Sequence, residues 1–305
     1  MVERKLNVDI IPALKKLQVI TKSTLSAAGV TGQYQSVFKG RGLEFEDYRT
    51  YSTLDDSSLI DWKASKKSHS LLIKEYVEER NVNVVFAVDV NESMIFGSTE
   101  KLKNEYTVEL VASLAHAILG VDDSVGLVMF NDGIVVSLPP SRKRTQFFDF
   151  TRNLINVDHY GGAVNFDNLF TFLLNTYPRD TVLMIISDFI GFDEEHTRNF
   201  KILTSKFDTI GIMVRDPRDK TLPASYEGEI FIKDPYSNKN MVIEPKLLKE
   251  IYEEEAKRQE DSLRTVFSET GSDFISLTTD EPFLKPILKL FQLRGNKKSG
   301  GGLIG

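Results

Sequence analysis

Residues 82–94 read VNVVFAVDVNESM. From Val82 to Val88 the run is almost continuously apolar, broken only by Asn83. A stretch of this kind suits a β-strand covered on both faces, as in a sheet with helices packed above and below. The strand ends on Asp89, and Asn91 and Ser93 follow at alternate positions. Ligands of open α/β sheets bind beyond the carboxyl ends of the strands, so this stretch points to a fold and to a place for a site.

Working toward the carboxyl terminus, Tyr106, Leu110, Leu114 and Ile118 recur every fourth position and Gly120 follows as a stop, which predicts a helix. Apolar runs at 125–130 and 134–138 flank Asn131-Asp132-Gly133, a hairpin signal that makes one strand pair antiparallel. Helical patterns over 145–155 and 166–176 lead to a second buried strand at 182–187, which Asp188 ends. A helix near 196–206 and a strand at 209–214 continue the alternation. Residues 216–245 are rich in proline and turns, with short apolar runs at 230–232 and 241–243 that read as a hairpin excursion. A charged helix at about 246–270, a strand at 274–277 and a helix at 282–293 close the pattern. Strands alternating with helices predict an α/β fold: a doubly wound, mostly parallel sheet with one antiparallel edge strand.

Toward the amino terminus, Ile10, Leu14 and Leu17 lie at helical spacing within 9–28, and Gly29 and Gly32 end that segment. Residues 34–70 show no sustained period but are dense in Arg, Asp and aromatic residues, which reads as an ordered, irregular segment. Two readings of it stay open. Arg41 and Arg49, interleaved with Glu44, Glu46 and Asp47, suit an ion-pair network, with Phe45 and Trp62 anchoring the segment by burial. Alternatively Arg41, Arg49, Lys63, Lys66 and Lys67 form a docking surface for an acidic partner. A β-rich run at 71–77 follows. The expected organisation is an amino-terminal helix and irregular segment at 1–80 packed on the main domain, an α/β domain at 81–294, and a flexible tail at 295–305.

Composition narrows the function classes. The 305 residues carry a formal charge of −6, and the acidity lies beyond residue 80, so a general nucleic-acid binder is not expected. The chain has no Cys, which removes disulfides, zinc fingers, iron–sulfur clusters and thiol catalysis. No apolar run approaches the roughly 18–20 residues of a membrane span, and the first residues carry no signal-peptide stretch, so a cytoplasmic location is expected. P-loop, dinucleotide and nucleophile-elbow motifs are absent, and the four His make no metal-binding spacing.

Two carboxylates end buried strands: Asp89 and Asp188. With Asn91 and Ser93 they offer hard oxygen ligands suited to magnesium. The same residue types also cap helices, and that reading stays open beside the first.

Here a resemblance becomes specific. Asp89-Val-Asn-Glu-Ser93, Gly161-Gly162-Ala163 and Ser187-Asp188 resemble the metal-ion-dependent adhesion site of von Willebrand factor A domains. The segment before the first strand resembles the signature of domain-of-unknown-function family 58. Its matching positions include Arg41-Gly42, Glu44-Phe45, Asp47, Arg49, Asp55-Asp56, Ile60-Asp61-Trp62-Lys63 and Glu79-Arg80. The likeness runs on through Asp216-Pro217 to Thr279-Asp280-Glu281. It implies an interaction module partnered with a MoxR-type AAA+ ATPase, with Mg2+ or a similar divalent cation held by Asp89, Asn91, Ser93 and Asp188. Two positions depart from the pattern. Asn91 stands where a Ser is usual, and Ala163 stands where a Thr is usual, so Asn165 is the residue expected to substitute. The function expected is therefore binding rather than catalysis. The alternative is a magnesium-dependent hydrolase or phosphotransferase using Asp89 and Asp188.

Overall fold

The computed structural model describes residues 40–52, 55–68, 70–80, 82–223, 230–233 and 240–300. The predicted helix at 9–28 lies outside them. A six-stranded sheet forms the centre. It contains β3 (Asn83–Asp89), β4 (Ser124–Phe130), β5 (Ile134–Ser141), β6 (Thr181–Ser187), β7 (Asp208–Arg215) and β10 (Asp273–Thr278), in the order β10-β7-β6-β3-β4-β5. All neighbours pair parallel except β4 and β5. The doubly wound sheet with an antiparallel edge is thus as expected. β5 runs on through Pro139 and Pro140, which an edge strand tolerates because a missing N–H there breaks no inner ladder.

Helices cover both faces. α2 (Lys103–Leu119), α3 (Thr145–Leu154) and α7 (Leu284–Gly300) pack on one, and α4 (Phe166–Thr176), α5 (Glu194–Lys206) and α6 (Pro245–Glu269) on the other. β3 divides its side chains accordingly. Val84, Phe86 and Val88 enter the first layer, while Val85 and Ala87 enter the second, and all five are fully buried. This is why the strand reads as continuously apolar: neither face meets water. The second layer is rich in aromatics, with the Phe200 and Phe267 rings 4.6 Å apart and Phe166 stacked on Phe189 at 6.0 Å.

Three expectations need correction. Residues 40–50 are not irregular: they form β1 (Gly40–Thr50), paired antiparallel with β2 (Leu72–Arg80) in a separate two-stranded sheet that also carries α1 (Trp62–Ser68). Register shifts between Gly40 and Leu43 and between Phe45 and Asp47 put the apolar residues of β1 out of phase, hiding its period of two. Trp62 is no buried anchor, for it is 69% exposed at the start of α1. The tail expected from 295 begins as helix, since α7 continues to Gly300 with no proline to stop it. The hairpin excursion is present as β8 (Ile230–Lys233) and β9 (Asn240–Ile243).

Candidate functional site

The sheet's winding reverses beside β3. The chain passes from β3 to β4 and β5 on one side, then returns to β6 on the other and moves outward to β7 and β10. Asp89 ends β3 and Asp188 directly follows β6, the two strands that flank this reversal, where diverging connections leave a crevice. Asp216 directly follows the next strand, β7. Three adjacent strands therefore carry an aspartate at or just beyond their carboxyl ends, each at most 1% exposed.

Around Asp89 the polar atoms are closely tied. The backbone N–H of Asn91 donates to Asp89 Oδ1 over 3.0 Å and Asn91 Nδ2 to Oδ2 over 3.1 Å. Ser187 Oγ donates to the same Oδ2 over 2.5 Å. Burial, followed by the nearby negative charge of Asp188, pushes the Asp89 carboxyl up to about 8, while the bonds from Ser187 and Asn91 pull the other way. Asn91 also caps the short 3-10 turn at Glu92–Ile95, its Oδ1 accepting from the Ser93 N–H over 2.7 Å. The capping reading thus holds for Asn91, which caps this turn while its side chain also bonds to Asp89. Ser93 Oγ lies 2.6 Å from Asn91 Oδ1 and 2.6 Å from Asp188 Oδ2, so its single proton joins the two halves of the cluster.

Lys103 completes the site and was not among the residues expected. Its Nζ donates to Asp188 Oδ2 over 2.7 Å and to Asp219 Oδ2 over 3.0 Å, with the side chain only 1% exposed. Burial disfavours its charge, but the carboxylates of Asp188 and Asp219 outweigh that and raise its pKa above the usual lysine value. Asp216 fixes the approach to this lysine: Ser98 donates to it from N–H and hydroxyl over 2.7 and 2.5 Å. The sequence did carry a signal. A lysine opens α2, in the first turn where acidic residues are the rule.

The intermediate loop docks on the cluster through its backbone. Gly161 and Gly162, at φ 130° and 80°, take conformations open to glycine. The Gly161 N–H donates to Val90 O over 2.7 Å and the Glu92 N–H to Gly162 O over 2.9 Å. Ala163 is exposed and has no oxygen in its side chain. Asn165 does not replace a threonine here, because its Oδ1 accepts from the Asn168 N–H over 3.0 Å as the cap of α4. On the loops that hold the buried cluster, Glu92, Phe96, Gly162 and Ala163 are among the exposed residues. Beside it lies a cleft of about 360 Å³ whose lining includes Asp188, Arg215, Asp219, Tyr252 and Gln259.

As arranged, these side chains do not fit a divalent ion. Asp89 and Asp188 already accept hydrogen bonds from protein donors, and Asp188 carries an ammonium. The basic residues of the amino-terminal segment lie on the separate hairpin unit. Arg49 makes two bonds to Asp55, at 2.8 and 2.7 Å, and that guanidinium with the Ser52 N–H holds the Asp55 carboxyl down to about 2. Arg41 lies in β1, and Lys63, Lys66 and Lys67 are exposed on α1.

Residues 47–262 match the family model described as Protein of unknown function DUF58. Uncharacterized protein Rv1480 of Mycobacterium tuberculosis is 23% identical over 286 residues, covering 92% of this chain and 89% of the relative. Among solved structures, the conserved hypothetical protein BatB from Bacteroides thetaiotaomicron is 13% identical, with a TM-score of 0.47, over 72% of this chain and 99% of that one. The SpRpn10 VWA domain is 12% identical, with a TM-score of 0.37, over 74% and 100%. Among the described residues no helix is long and apolar enough to cross a membrane.

Proposed function

This chain belongs to the DUF58 family, and on that premise we propose that it is a protein-interaction module whose contact face is the carboxyl end of the central sheet. One observation carries the reading. Asp89, Asn91, Ser93 and Asp188, from the ends of neighbouring strands, form one buried hydrogen-bonded cluster at the winding reversal, beneath an exposed rim. Burying and interlocking so many polar groups fixes the loops that carry Glu92, Phe96 and Ala163, and a contact surface held rigid loses less entropy on binding. Phe96, 44% exposed, is the aromatic anchor of that rim.

The finer assignment is an adaptor for a MoxR-type AAA+ ATPase in the cytoplasm, working through a degenerate adhesion site. Its support is the resemblance of the signature segment and of the Asp89-to-Ser93 loop. The test is a titration of the full chain against the MoxR-type ATPase of the same genome, with Phe96→Ala and Glu92→Lys as variants. Loss of a rim anchor is expected to weaken binding by about tenfold, with the melting temperature unchanged. Unaltered affinity in both variants would remove this face as the contact. Phosphoester turnover abolished by Asp188→Asn would instead favour a hydrolase.

A further inference from the structure

Lys103 is placed against every local preference. It is the first residue of α2, where the unpaired N–H groups and the helix dipole favour an anion. Its ammonium is withdrawn from water almost entirely, which is costly for a strongly hydrated point charge. Residues that break such rules are retained where something else is gained. The gain is visible in what the ammonium touches. Lys103 Nζ touches Asp188 at 2.7 Å and Asp219 at 3.0 Å, and from Asp188 a chain of hydrogen bonds runs on, Asp188 to Ser93 at 2.6 Å, Ser93 to Asn91 at 2.6 Å and Asn91 to Asp89 at 3.1 Å. Of the four residues that an adhesion site would direct at a metal, the lysine bonds directly to Asp188 and reaches the other three only through the hydrogen-bond chain that Asp188 opens.

We propose that the Lys103 ammonium takes the place of the divalent cation, so that the site holds its positive charge covalently tethered and independent of metal. The inference rests on the adhesion-site reading of these four residues and adds the identity of their counter-ion. Three observations support it. The donor set has lost an oxygen at Ala163, and Asn165 is engaged in capping α4. A single positive charge sits between two carboxylates, Asp188 and Asp219, where a metal would bring two. The loop leading to Lys103 is itself pinned by buried Asp216 through Ser98, so the ammonium is held in position. The consequence concerns recognition. An ammonium 1% exposed has no open coordination position, so a partner's carboxylate is not captured through an ion here, and contact falls to the rim.

The test needs only the free chain. Wild type, Lys103→Ala and Lys103→Ala/Asp188→Asn are titrated with MnCl2 by calorimetry and electron paramagnetic resonance, and melted with MnCl2 and with chelator. Wild type is expected to show no saturable Mn2+ binding and no change in melting temperature with chelator. Lys103→Ala is expected to gain saturable binding and to be stabilised by the ion, and the double variant to lose both. Saturable Mn2+ binding by wild type that Asp188→Asn abolishes would overturn the proposal. So would a folded Lys103→Ala that binds no Mn2+, since Lys103 would then be an ordinary ion-pair partner. If Lys103→Ala folds in neither buffer, Lys103→Gln, which keeps a stem and a donor for Asp188, takes its place under the same criteria. No partner enters the measurement, so its outcome is separate from that of the ATPase titration.

Discussion

Ser187, the last residue of β6, donates its hydroxyl to the carboxylate of Asp89, the last residue of β3, over 2.5 Å, and both are fully buried. The same Ser187 oxygen accepts the N–H of Phe189 over 2.8 Å. Phe189 is one of two described non-glycine residues with positive φ, at 54°, so this bond helps hold a strained turn. Ser187→Ala takes a donor from Asp89 and an acceptor from Phe189 without changing the strand. Denaturant unfolding is expected to show a loss of about 1–3 kcal/mol. A change within error would mean that neither bond matters to stability.

Gly211 in β7 is there for space. A Cβ at that position would overlap Cε1 and Cζ of Phe267. The Phe267 ring is buried and cannot retreat, with Phe200 at 4.6 Å and Phe274 at 5.1 Å around it. Gly211→Ala should therefore destabilise by about 1–3 kcal/mol through overpacking, read as a lower denaturation midpoint at constant slope. A simultaneous Phe267→Leu change is expected to recover part of that loss.

His116, in the last turn of α2, lies half-buried with its ring 5.4 Å from that of Phe147. Burial lowers its pKa below the ordinary 6.5, so the unfolded chain takes up this proton more readily than the folded one. The stabilising neutral form is fully present above pH 6.5, and its contribution falls as the pH drops below that value. His116→Gln should flatten the decline of melting temperature on the acid side of 6.5 relative to wild type. Identical pH profiles would show that other groups govern the decline.

Arg49 and Asp55 test whether the basic residues of the hairpin unit are free for a partner. The guanidinium and the Ser52 N–H hold Asp55 at about 2, well under the ordinary 3.8. A carboxyl lowered in this way favours the folded form above 3.8 and loses that effect as pH falls toward about 2. In Arg49→Ala, carbon-detected NMR titration should find the Asp55 pKa moved up toward 3.8. No movement would release Arg49 for the docking role.

Much of the central sheet was legible because burial on both faces leaves no room for polar residues. The runs at 82–88, 125–130, 182–187 and 209–214 each lie within an observed strand or extend it by one residue. The Asp-Gly pair likewise placed the antiparallel edge, because local turn chemistry needs no tertiary partner. β1 escaped notice for a converse reason. Its bulges break the alternation on which strand reading depends, and its partner β2 begins more than twenty residues later in the chain.

The sequence by itself determined the alternation of strands and helices, the ends of β3 and β6, and the polar residues Asp89, Asn91, Ser93 and Asp188 that stand there. These follow from local pattern, since periodicity and the residue after a buried run are properties of neighbouring positions. Only the tertiary structure decided that a lysine ammonium meets Asp188 and Asp219. Lys103 lies 85 positions from Asp188 and 116 from Asp219, and no spacing rule connects the three. Their contact depends on β6, β7 and the start of α2 converging at one end of the sheet, which packing alone brings about.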